Sequence, residues 1–93
     1  MKYEIMYIVR PNIDEEKLNN IVSSFEKVLT DNNAKIESKK ETGQKELAYE
    51  IKKHNSGFYY LYVISCEDDK AQKEFDRLAL LSEDIIRHMI IKL

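Results

Sequence analysis

A single cysteine, Cys66, a single proline, Pro11, two glycines and no tryptophan stand among the 93 residues. One thiol cannot close an internal disulfide, which excludes the bridge-stapled secreted scaffolds. So little glycine and proline excludes collagen-like, linker-like and turn-dense all-β chains. Long apolar runs are missing too. Stretches such as Leu61 to Ile64 fall far short of the roughly 20 residues that span a bilayer. Nothing apolar follows Met1-Lys2 in the manner of a signal peptide. The expectation is one soluble, cytoplasmic domain over residues 1–93, without membrane association.

What is present is globular. Hydrophobic residues make up 43% and charged residues 34%, enough for one core in a chain of this length. Fifteen Lys and Arg stand against seventeen Asp and Glu, a net charge of −2. Proteins that wrap a nucleic-acid backbone are usually strongly basic, because neutralising phosphates supplies most of their non-specific affinity. A nucleic-acid role here therefore requires local basic clusters or a helping partner.

The hydropathy pattern predicts six elements. Tyr3 to Val9 is β-branched and aromatic, with both parities largely apolar, and Pro11-Asn12 ends it. Asp14-Glu15-Glu16 opens a helix, with Asp14 as N-cap and the acids near the positive end of the dipole. Its stripe is Leu18, Ile21, Val22, Phe25, Val28 and Leu29, and Asn32-Asn33 stops it. From Lys35 to Lys53 a charged, extended segment reads as an edge strand, bent or bulged at Gly43. His54-Asn55-Ser56-Gly57 reads as a turn, and Phe58 to Ser65 as the strand completing a hairpin. Glu67-Asp68-Asp69 opens a second helix with Ala71, Phe75, Leu78 and Ala79 on one side, and Ile85 to Leu93 is a last strand. The order β-α-β-β-α-β specifies an α+β, ferredoxin-like sandwich. Both helices pack on one face of a four-stranded antiparallel sheet, with the first and third strands central.

Catalytic chemistry finds no support. Two histidines, one cysteine and six serines assemble no nucleophile set. His54 reads as a solvated turn residue, His88 as half-buried on the last strand, and Cys66 as a small hydrophobe. Gly43 and Gly57 are isolated, so no glycine loop cradles phosphate, and Asp68-Asp69 lacks the partners of a metal site. Acylphosphatases share the fold, but their loop after the first strand is absent. The reading is a non-enzyme without cofactor, metal or small-molecule substrate.

Binding features are richer. Basic residues gather at Lys2, at Lys39-Lys40 with Lys45, at Lys52-Lys53, and at Arg87 with Lys92. The run Gly57-Phe58-Tyr59-Tyr60-Leu61-Tyr62 is similar to the aromatic strand of RNA-recognition motifs, yet lacks the preceding basic residue. If Tyr60, Tyr62 and Ile64 face the helices, then Met6, Ile8, Tyr59 and Leu61 form an apolar patch on the open face, the mark of a protein interface.

Gly43-Gln44-Lys45-Glu46-Leu47-Ala48-Tyr49-Glu50-Ile51-Lys52 resembles the signature of the bacterial small-subunit ribosomal protein S6 family. Tyr3-Glu4, Pro11-Asn12, Phe75-Asp76-Arg77-Leu78 and Arg87-His88-Met89-Ile90-Ile91-Lys92 resemble the same family, and the similarity runs from Met1 to Leu93. The resemblance implies a structural protein of the 30S subunit. Such a protein binds the central domain of small-subunit rRNA as a heterodimer with ribosomal protein S18. It implies RNA contacts first from Lys45, Arg87 and Lys92, then from Lys2 and Lys52. Leu47 and Tyr49 become packing residues of the hairpin, with Tyr49 also at the protein interface beside Met6, Ile8, Tyr59 and Leu61. Glu50 departs from the family, many of whose members carry proline there. Many relatives also continue beyond the position of Leu93, and nothing assigned to their tail carries over. The rival expectation is a regulatory or ligand-binding module that homodimerises through its sheet.

Overall fold

A computed structural model describes residues 1–93. The elements are β1 (Lys2–Val9), α1 (Glu15–Asp31), β2 (Lys35–Ile51), β3 (His54–Ser65), α2 (Lys70–Leu81) and β4 (Ile85–Lys92). They form one antiparallel sheet in the order β2-β3-β1-β4, so the two most apolar strands are central and the charged β2 lies at an edge. The ferredoxin-like expectation holds.

Local chemistry sets the boundaries. The Asp14 carboxylate accepts the Lys17 amide at 2.7 Å, satisfying one of the free donors at the start of α1. Asn33, at φ 66°, takes the left-handed conformation that ends it. In α2, Asp69 makes no side-chain cap. The Asp68 carboxylate instead accepts the Lys70 amide at 3.0 Å, and the acidic triplet precedes the helix rather than forming its first turn.

The core lies between the helices and one sheet face. Leu18, Val22, Phe25 and Leu29 of α1 and Ala71, Phe75 and Ala79 of α2 close on Tyr3, Ile5, Tyr7, Tyr60, Tyr62 and Ile64. Phe25 and Phe75 meet at a centroid distance of 4.9 Å, and Tyr7 stacks on Tyr60 at 5.1 Å. Each such pair adds about 1 kcal/mol beyond the area it buries.

The hairpin turn is displaced from its expected place. Ile51 pairs with His54, so the two-residue turn is Lys52-Lys53, and His54 to Gly57 belong to β3. Both lysines have positive φ, 48° and 67°. Turns of this primed type match the twist of the flanking strands, which is why they prevail here over the usual turn composition. Gly57 serves a different purpose from a turn glycine. A Cβ there would overlap Ile8 Cγ2 and stand 2.9 Å from the Val9 carbonyl oxygen. Gly43 at φ +71° marks a register shift, as its position in a charged strand predicts.

Candidate nucleic-acid and protein interface

The sheet face away from the helices carries the features to be explained. On β3, Tyr60, Tyr62 and Ile64 are buried against the helices, and Tyr59, Leu61 and Val63 point to the open side. This inverts the arrangement needed for base stacking. Phe58 and Tyr60, the aromatic positions of the RNA-recognition pattern, pack toward the core. Tyr59 is left as the outward aromatic residue of the run, so no stacking platform forms.

Met6, Tyr59 and Leu61 are half-buried on the open face, continued by the exposed Met89 and Ile91 of β4. Ile8 departs from expectation. It lies on that face but is only 2% exposed, so it is not an accessible docking residue. The reason is the hairpin end. Leu47, Ala48, Tyr49 and Ile51 border the same groove of about 260 Å³ as Met6, Ile8 and Met89. The end of β2 thus bends over the face from the opposite edge of the sheet. Arg87 Nη1 of β4 donates to the Tyr49 hydroxyl at 2.6 Å, joining the two outer strands. Within the signature, Leu47 is half-buried at this groove, whereas Ala48 is exposed and Tyr49, expected as a packing residue of the hairpin, is 62% exposed.

The five expected cations are all exposed but differ in surroundings. Lys2 and Lys45 lie on the open face, opposite Ser65 and Gly57, and Arg87 lies there opposite Ile8. Lys52 is at the hairpin turn. Lys92 pairs with Tyr3, which puts it on the helix-side parity at the end of β4. Lys2 is committed to Glu37 at 3.2 Å. Other cations are paired as well: Arg10 with Asp84 at 2.6 Å, Lys27 with Asp31, Lys39 with Glu26, Lys73 with Asp69, and Arg77 with Glu74. Lys17 sits 3.6 Å from Asp84. Lys35, Lys40, Lys45, Lys52, Lys53, Lys70, Arg87 and Lys92 have no acidic partner. All of these but Lys70 belong to the sheet or its hairpin turn. Lys35, Lys40 and Lys53 were not among the expected contacts.

The remaining chemistry-bearing groups are structural. His88 faces α2 and bonds Asp76 at 2.7 Å, consistent with a half-buried strand histidine. Cys66 is buried. The Tyr7 and Tyr62 hydroxyls share a 2.7 Å hydrogen bond in the core, and Tyr62 donates onward to Glu26, which also accepts from Lys39. Burial raises both phenols above the ordinary range, Tyr7 the more so because it also donates to Tyr62. The exposed Lys39 ammonium is held charged by its bond to Glu26.

The family model of Ribosomal protein S6 matches residues 2–92. The chain belongs to the ribosomal protein S6 family. Among solved structures, the crystal structure of 30S ribosomal protein S6 from Thermotoga maritima is similar over 99% of this chain and 86% of that one, with 31% sequence identity and a TM-score of 0.92. Membership makes the chain a structural component of the small, 30S subunit of the cytoplasmic ribosome, in a family that acts in translation rather than catalysis. No helix is long and apolar enough to cross a membrane.

Proposed function

We propose that this S6-family chain binds the central domain of small-subunit rRNA together with ribosomal protein S18, as a heterodimer formed during 30S assembly. The observation that carries this reading is the segregation of charge. Cations on the helices are neutralised by neighbouring carboxylates at all but Lys70, whereas on the sheet and hairpin only Lys2 and Lys39 are paired and the other seven are free. An acidic protein that keeps most of its unpaired cations on the sheet and hairpin holds them for an anionic surface. The net charge of −2 makes the chain a weak polyanion binder alone, so the partner must supply part of the phosphate neutralisation. Half-exposed Met6, Tyr59 and Leu61, with Tyr49 at the folded-over hairpin end, form the docking surface for that partner.

Sedimentation of the chain with S18, with and without a central-domain rRNA fragment, tests this. A one-to-one heterodimer that joins the RNA supports the reading. A self-dimer that ignores both S18 and RNA supports the regulatory module instead.

A further inference from the structure

Along β2 the lysines at 35, 40 and 45 are spaced by five residues. In a regular strand, side chains alternate, so an odd spacing sends successive residues to opposite faces. The observed register does otherwise. Lys35 pairs with Ser65, Lys40 with Leu61 and Lys45 with Gly57, partners four residues apart on β3 and all on its open side. The extra residue in each interval is taken up by a bulge, one between Ile36 and Ser38 and one between Glu41 and Gly43. A one-residue slip reverses a strand's faces, and two slips here bring three lysines into phase. Two acids of the strand are phased the other way: Glu41 and Glu46 pair with Tyr60 and Ser56 on the helix side. Lys39, also on that side, is bound to Glu26. Glu37, at the first bulge, is engaged by Lys2.

We infer that Lys35, Lys40 and Lys45, continued by Lys52 and Lys53 at the turn, form a linear contact row for the phosphodiester backbone of an RNA strand, phased onto one face by the two β-bulges. Successive lysines on β2 stand about 13 Å apart, from four residues of β3 at about 3.4 Å each. None has an acidic partner, so none must break an ion pair to bind. Bulges next to functional sites serve to re-aim side chains, and here they re-aim charge. The row rests on the RNA-binding reading above and specifies which cations carry it. It adds Lys35, Lys40 and Lys53 to Lys45 and Lys52, and it leaves out the committed Lys2.

The test compares Lys40→Gln and Lys45→Gln with Lys39→Gln, a neighbour of equal charge on the other face. Each full chain, with S18, is titrated with a central-domain rRNA fragment over a series of salt concentrations. The expected result is weaker binding for Lys40→Gln and Lys45→Gln. Their log affinity against log salt should be shallower by roughly 0.7 to 0.9 for each lost contact. Lys39→Gln should keep the original slope. Equal effects at all three positions would mean that net charge, not phasing, matters, and would overturn the row while leaving RNA binding intact. Unchanged slopes at positions 40 and 45 would do the same. Failure of the unaltered chain to bind the fragment, with or without S18, would remove the RNA reading and the row with it.

Discussion

At Gly57 the fold has no room for a single methyl group. The open face of β1 comes so close that a Cβ would overlap Ile8 Cγ2 and crowd the Val9 carbonyl. Gly57→Ala is therefore expected to cost about 1–3 kcal/mol, the range for overpacking a filled site. Urea unfolding checks this, with a lower midpoint and an unchanged slope. An unaffected midpoint would mean that β1 and β3 separate easily here. The buried tyrosines give a second residue-scale expectation. Tyr7 and Tyr62 have raised pKa values in the folded state. As pH passes the ordinary phenol value of about 10, the unfolded chain loses protons that the native chain retains. The unfolded state then binds fewer protons, so their contribution to stability is whole below that pH and declines above it. Of the six tyrosines, these two should show tyrosinate absorbance only as the protein unfolds. Their ionisation in the intact fold would contradict the buried hydroxyl pair.

Among the elements, the hairpin is where structure and sequence part. The helices were legible because their apolar stripes and the Asp14 cap are local signals, and the central strands because both of their faces are apolar. The hairpin turn was not. His54-Asn55-Ser56-Gly57 has turn composition, yet the chain reverses at two lysines with positive φ. Strand pairing overrides that composition: β3 pairs with β2 as far as His54, opposite Ile51, and Gly57 lies within the strand against Ile8. The phase of Lys40 was hidden for a related reason, since a bulge is defined by the partner strand and leaves only Gly43 as a trace. Nor could one strand's pattern show that Tyr49 reaches Arg87 across the sheet and covers Ile8. Lysine in the left-handed region is disfavoured by roughly 1 kcal/mol or more per residue, and Asn-Gly is the preferred pair for such a turn. Replacing the turn by Lys52→Asn with Lys53→Gly should raise stability by about 1–2 kcal/mol in thermal or urea unfolding. The same double variant should weaken RNA binding, because it removes two cations from the end of the row. A stability gain with undiminished binding would place the RNA contacts elsewhere.

The whole molecule separates its two tasks by face. One side of the sheet is sealed by α1 and α2 around the Tyr7, Phe25 and Phe75 cluster. The other keeps a groove roofed by the hairpin end, a margin of half-exposed apolar residues and the unpaired Lys35, Lys40, Lys45 and Arg87. That division accounts for an acidic protein in a family of ribosomal components: the helix cations are largely neutralised, and most of the free positive charge is gathered on the sheet and its hairpin. The measurement that tests this account most directly is the affinity of the chain for a central-domain rRNA fragment, alone and with S18, at low and high salt. The account predicts weak binding alone, tight binding with the partner, and a loss of affinity as salt rises. Binding equally tight without S18, or insensitive to salt, would contradict it.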